Sequence, residues 1–299
     1  MDHILYHYCS SQTGFSILNT RTFRLSALSS ANDSLEGRVL GRVFSEVLLE
    51  TGLPQGLSEI AAIIVSTYPL ATEGFAFCLS EEGDLLSQWR AYASDGSGIS
   101  IGFSREILEK DFGNVNFGSE YYDIVKVDYG EDVLRVSLKP IAKDIHAKFF
   151  GVSDSIRLAD GITPEKAMQA FSEREGNVKG IFQGTDETST RLLADLLKAL
   201  SPLHFKIYNT KPKTFFEERE WRLLSFSHRI AKTDIDFFAD TASIRPYMSC
   251  LIADPAREAI SEVILGPKHR TNIDWMRAFL SSVGLEHVRV SKSAHESYR

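Results

Sequence analysis

The sequence predicts an α+β fold, a mixed or antiparallel sheet core carrying a helical insertion, as a single domain over residues 1–299. Two observations carry that prediction. Strand-like runs gather toward both ends of the chain, which favours one sheet built from both ends over two independent domains. Between them, at about 131–210, apolar residues recur at helical spacing.

Residues 4–8 (ILYHY) are a short β-type run. Residues 10–14 then supply a turn and a cap before a short helix at 15–18. Residues 21–26 alternate polar and apolar and read as a strand. The Asn32, Asp33 and Ser34 cluster caps a helix over 35–49, with Glu36 in its first turn. A second helix covers about 57–67, and Pro69 lies beyond its end. Residues 74–79 (GFAFCL) have the pattern of a buried strand, closed by Ser80 and followed by a helix-like segment at 85–92. The turn chemistry of Asp95, Gly96, Ser97 and Gly98 leads into an alternating strand at 99–103, after which a helix starts at 104–108. A strand at 121–129 precedes the helical middle. There the apolar stripes are Val133, Val136, Ile141, Ile145 and Phe149, then Leu192, Leu193, Leu196, Leu197 and Leu200. Residues 154–188, polar and punctuated by glycine, form either a loop or an inserted subdomain. Strands return at 220–226, 235–238 and 262–265, before a helix at 271–283 and a short strand at 288–290.

With 43% hydrophobic and 24% charged residues, the composition is that of a globular protein. A net charge of -7 argues against a protein whose affinity comes from covering phosphates with Lys and Arg, although a local basic groove is compatible with it. The three cysteines, Cys9, Cys78 and Cys250, are widely spaced. They support neither a disulfide framework nor a zinc site, and they fit a reducing cytoplasm. Cys78, inside the 74–79 pattern, reads as an inert core thiol. The first residues lack the basic and apolar regions of a signal peptide, and no stretch has the length and apolarity of a membrane span.

The run Thr214-Phe215-Phe216-Glu217-Glu218-Arg219-Glu220-Trp221-Arg222 places three carboxylates at the mouth of a strand. Acids are costly to bury unpaired, so the cluster is either an ion-paired strand end or a site. On an extended backbone Glu218 and Glu220 face one side. One could hold a ligand hydroxyl or stabilise a cation while the other orients or deprotonates a nucleophile. The alternative is Glu220 paired with Arg222, Arg219 or Arg90 at an exposed strand end. His7 lies on the opposite strand face from Tyr6 and Tyr8. It is either satisfied by a backbone carbonyl or donates to a ligand hydroxyl. Trp89 and Tyr92, three apart, share a helix face. They are core residues, or one of them, preferably Tyr92, stacks on a planar ligand ring. Phosphate-loop and HExxH motifs are absent from the sequence.

The segments LYHYCS, LSSANDSLEG, FCLSEEGDLLSQWRAYASDGSGISIGF, KPKTFFEEREWRLL and EVILGPK resemble an uncharacterised bacterial family, a domain of unknown function. More distantly, the order of a His on a first strand, strand–Ser–helix–Tyr in the middle and Glu on a late strand resembles the ADP-ribosyltransferase superfamily. That resemblance implies a sheet core of that type and NAD as the substrate consumed. By position, His7 would bind its ribose, with Tyr8 and Ser80 in the same binding set, and Tyr92 or Trp89 would stack on nicotinamide. Glu220 would hold the ribose hydroxyl and favour an oxocarbenium-like transition state, and Glu218 would activate the acceptor. The acceptor would be a macromolecule (RNA, DNA or protein). The setting would be a cytoplasmic toxin or antiphage effector, with an antitoxin or defence-system partner and no membrane. Two alternatives accompany it: a metal-dependent nuclease using Glu218, Glu220 and an acid such as Asp128, and a non-catalytic sensor or interaction module whose acids are paired with arginines.

Overall fold

The computed structural model describes residues 3–30, 36–113, 115–117, 120–155, 157–158, 166, 182–183, 187–228, 235–239, 243–252 and 259–295. The expected cap at residues 31–34 and most of the polar stretch at 154–188 lie outside them. The fold is mixed α+β, built on a mostly antiparallel sheet.

The N-terminal half supplies β1 (Ile4–Cys9), α1 (Ser11–Thr20), β2 (Thr22–Ala27), α2 (Glu36–Glu50), α3 (Gln55–Ala71) and β3 (Thr72–Ser80). It continues with α4 (Leu86–Tyr92), β4 (Ile99–Ser104), α5 (Arg105–Phe112), β5 (Val115–Phe117), β6 (Glu120–Lys126) and β7 (Asp128–Tyr129). Next come α6 (Glu131–Phe149), a β8 (Arg157–Leu158) and β9 (Phe182–Gln183) pair, α7 (Glu187–Leu200), α8 (Leu203–Ile207) and β10 (Thr210–Lys211). The chain closes with β11 (Glu220–His228), β12 (Asp236–Ala239), β13 (Ile244–Leu251), β14 (Ile260–Leu265), α9 (Ile273–Ser282) and β15 (Arg289–Lys292). Helix α1 starts at Ser11, four residues before the expected helix at 15–18, because the Ser10 side chain accepts from the Thr13 N–H. Helix α3 runs past Pro69 to Ala71, further than expected. A proline in the final turn removes only one helical hydrogen bond, and the burial of Leu57, Ile60, Ala61 and Ile64 outweighs it.

Both ends of the chain contribute to one 11-stranded sheet, in the order β12-β13-β2-β3-β1-β4-β14-β15, with β11, β6 and β5 branching from β3. Strand β13 was not expected. Pro246 obscures its pattern, but the proline pairs only with Phe237 of β12, and the ladder with β2 begins one residue later at Tyr247. Alternation sends Phe75, Phe77, Leu79, Trp221 and Leu223 to one face, against α1, α5 and α9. Ala76 and Leu224 go to the other, against α2, α3, α6, α7 and α8.

The geometry that matters most lies along β3. Its whole length pairs with β11, from Glu220 opposite Ser80 to His228 opposite Thr72. Its other edge is shared. Strand β2 takes Phe75 and Ala76, while β1 touches only Ser80, through Tyr6. Between those contacts β1 leaves β3 and pairs instead along β4 from Ile4 to Cys9. The sheet therefore opens beside Cys78 and Leu79.

Candidate functional site

A cleft of about 610 Å³ occupies that opening. Strand β1 contributes Tyr6, His7 and Tyr8, β3 contributes Cys78 and Leu79, and α4 contributes Gln88 and Tyr92. Lys211, Phe215, Glu218, Glu220 and Arg222 form the acidic wall, with Leu28 and Arg245 completing the lining. Four residues singled out in the sequence, His7, Tyr92, Glu218 and Glu220, thus meet in one cleft, together with Tyr8.

His7 bridges the gap between β1 and β3. Its ring stacks on Phe77 at 4.0 Å, and Nδ1 lies 2.8 Å from the Cys78 carbonyl. A carbonyl only accepts, so Nδ1 carries the proton and Nε2 of the neutral ring is an acceptor. Of the two expected roles this is the first, a ring satisfied by a backbone carbonyl: the donor nitrogen is spent on the protein, so His7 can receive a hydrogen bond from a ligand O–H or N–H but cannot donate one. Enclosure lowers its pKa to about 4, against the opposing pull of the Cys78 carbonyl, so the ring is neutral at physiological pH.

The acids do not lie on one extended strand. A 3-10 turn covers Lys213–Glu218, and Arg219 adopts a left-handed conformation (φ 43°) before β11 begins at Glu220. The turn folds Glu218 back toward Lys211, seven residues upstream. Lys211 Nζ donates to Glu218 Oε2 at 2.9 Å and to Glu220 Oε2 at 2.8 Å. Arg222 Nε donates to Glu220 Oε1 at 2.8 Å and its Nη1 donates to the Tyr208 carbonyl. The Lys211, Glu220 and Arg222 side chains are almost wholly buried, and Glu218 retains 15% exposure. Desolvation favours a neutral Glu220, but Arg222 and Lys211 outweigh it and hold the carboxyl below its ordinary range. Burial works likewise against the Lys211 charge, yet Glu220 and Glu218 raise its pKa above normal. The expected alternative for Glu220 was an arginine pair at an exposed strand end. The Arg222 pair exists, but it is buried. Glu217 and Phe216 point outward and are exposed.

The remaining expected residues divide. Tyr92 is 49% exposed and donates its phenol to Glu218 Oε1 at 3.0 Å. Burial, then the Glu218 charge, raises its pKa and keeps it protonated. Trp89 does not share Tyr92's environment. It is fully buried, packs edge-on against Tyr8 at 4.8 Å and donates Nε1 to Asp84 at 2.6 Å. The Tyr8 hydroxyl donates to the Glu82 carbonyl and accepts from the Leu85 N–H, so at the cleft it offers an apolar ring rather than a polar contact. Ser80 is buried, donates to the Glu218 carbonyl at 2.7 Å and accepts from the Glu82 N–H. It shapes the acidic turn from behind and is not part of the cleft lining. Cys78 also departs from expectation. It is exposed along the cleft wall, on the sheet face opposite Phe77 and Leu79. Enclosure between the walls, then the Glu220 charge, pushes its thiol above the ordinary value, which makes it a poor nucleophile at neutral pH.

Lys211 and Tyr129 were missed from sequence. Tyr129 accepts the Glu220 N–H at 2.7 Å. The only signal for Lys211 was a lysine just upstream of an acid run, and the 3-10 turn that brings the two together is not visible as periodicity. Among the described residues, no group of three His, Cys, Asp or Glu side chains is placed to hold a metal. Asp128 is engaged by Lys206 at 2.9 Å. No helix among the described residues is long and apolar enough to cross a membrane.

Residues 88–223 match the model of a family described as "Protein of unknown function (DUF2971)". As the sequence led us to expect, the chain is thus similar to an uncharacterised domain-of-unknown-function family. The matched stretch carries Tyr92, Lys211, Glu218, Glu220 and Arg222 but stops short of His7 and Arg245. No curated protein and no solved structure matches the chain.

Proposed function

We propose that the cleft binds NAD and that the protein transfers its ADP-ribose to a macromolecular acceptor, as a cytoplasmic toxin or antiphage effector. The observation that supports this reading is the convergence of His7, Tyr92, Glu218 and Glu220, drawn from distant parts of the sequence, on one cleft. In the proposed reaction the bond between nicotinamide nitrogen and the ribose anomeric carbon breaks. The electron pair leaves with neutral nicotinamide, and the positive charge remains on an oxocarbenium-like ribose. The Glu220 carboxylate, kept ionised by Lys211 and Arg222, accepts from a ribose hydroxyl and stabilises that charge. His7 Nε2 accepts from a second ribose hydroxyl. The exposed Tyr92 ring provides a face for nicotinamide, while its hydroxyl holds Glu218 at the position where an acceptor hydroxyl or amine loses its proton on forming the new bond. The test is release of nicotinamide from NAD, with cell extract supplied as acceptor. Turnover is expected in the wild-type protein and a loss of about 100-fold or more in Glu220→Gln. Equal turnover in the two proteins would overturn the assignment.

A second reading follows from one specific observation: both acids are already neutralised by Lys211 and Arg222. A non-catalytic sensor would have this arrangement too. It would bind a nucleotide-like ligand without consuming it, with Glu220→Gln changing affinity alone. The nuclease alternative gains less support, because Glu218, Glu220 and Asp128 each already have a lysine or arginine partner.

A further inference from the structure

The helical segment runs between β7 and β10, and these two-residue strands pair in parallel apart from the main sheet, Asp128 with Thr210 and Tyr129 with Lys211. The Gly130 N–H donates to the Lys211 carbonyl at 2.9 Å, and the Asp128 N–H to the Asn209 carbonyl at 2.7 Å. Gly130 has φ 87°, a conformation that glycine adopts without strain, and it lets the chain turn into α6 while its N–H still holds Lys211. Two residues of this short ribbon touch the acidic wall. Lys211 contacts both carboxylates, and Tyr129 accepts from the backbone of Glu220.

We infer that Lys211 is the positioning residue of the acid pair, and that the β7–β10 ribbon couples the helical segment to the cleft by fixing it in place. The inference deepens the NAD reading and rests on it for its catalytic part. The physical argument is geometric. A single ammonium within 2.9 Å of both carboxylates fixes the spacing of the two acids and helps to keep Glu220 charged. Tyr92 binds the other oxygen of Glu218 and Arg222 the carboxylate of Glu220, while among the described residues Lys211 is the cation that contacts both acids. A lysine supported by a free loop would not define that spacing. One supported by a ladder, a glycine turn and a cation–π contact with Phe215 at 5.3 Å does.

Titration of the Glu220 carboxyl by NMR, alongside NAD turnover, tests this. Lys211→Met is expected to raise the titration of Glu220, which Lys211 helps to hold low. Lys211→Arg keeps the charge but not the single bridging nitrogen. It is expected to leave the titration near wild type while lowering kcat by about 100-fold with little change in KM. Should Lys211→Met not fold, Lys211→Met combined with Glu218→Gln balances Glu220 against Arg222. Glu220 must then titrate higher than in Glu218→Gln alone. Unchanged carboxyl titration without Lys211, or full kcat in Lys211→Arg, would overturn the inference. If the wild-type protein does not consume NAD, the NAD reading fails by itself and the titration still decides the role of Lys211.

Discussion

Two acid–arginine networks in this protein use the same residue types in opposite settings. On the surface, Arg42 and Arg135 bridge Glu46, Glu50 and Glu131 between α2 and α6, with the glutamate side chains 40–52% exposed. In the cleft, Lys211 and Arg222 bridge Glu218 and Glu220, and three of the four side chains are 3–4% exposed. Water solvates the first network whether or not its partners are present. In the second the partners replace water, so each charge depends on the others. A buried, self-compensated cluster at a cleft wall is the costly arrangement, and that cost makes it the functional candidate.

Arg222 offers the largest expected effect. Removing one member of a buried ion pair strands the other, at about 3–5 kcal/mol. Arg222→Met should therefore lower stability by that order in urea unfolding, and Glu220→Gln/Arg222→Met should recover part of the loss. If the double variant loses the full sum of the two single losses, the two residues are not energetically coupled and the contrast with the surface network collapses.

The sheet was largely legible because it rests on period-two alternation. The strand at residues 74–79 is observed as β3, and both ends of the chain join one sheet, as their patterning implied. Local signals also worked where chemistry is local, as at the Ser10 cap. The site was legible in membership but not in mechanics. Sequence brought His7, Tyr92, Glu218 and Glu220 together, but the polarity of His7 depends on a carbonyl 71 residues away, which no spacing rule reveals. Trp89 and Ser80 were over-read for a shared reason. A residue near a cleft residue in sequence is as often its support as its neighbour at the ligand. Ser80 holds the turn bearing Glu218, and Trp89 anchors α4 through Asp84. Cys78 failed in the other direction, because the opening between β1 and β3 exposes a strand position that an apolar pattern assigns to the core.

His7 sharpens the comparison, since it is enclosed without a counter-charge. Its folded pKa of about 4 lies below the unfolded value of 6.5. Between these values the unfolded chain binds more protons, so stability present above pH 6.5 is lost progressively as the pH falls toward 4. Glu220 contributes in the same sense but lower, below its ordinary value of 4.5. Urea midpoints measured at pH 7 and pH 5 should therefore differ in the wild-type protein and differ less in His7→Gln. His269, also lowered by burial, remains as the background slope. An identical slope in both proteins would mean that His7 is solvated in solution.

The smallest effect belongs to Arg135, and its size is informative. Its guanidinium reaches Glu46 and Glu50 at once, a geometry that looks as strong as the one around Glu220. Exposed ion pairs nevertheless contribute little, because water competes for both partners and salt screens what remains. Arg135→Ala should leave the melting temperature of the protein within error of wild type, and the comparison should not change between low and high salt. The Arg222→Met loss should be equally independent of salt, but for the opposite reason: ions cannot enter a buried pair to screen it. A large, salt-sensitive loss at Arg135 would show that the α2–α6 face supports the fold through charge rather than through Leu134, Leu138, Val43 and Val47 beneath it. Burial would then no longer separate the two networks.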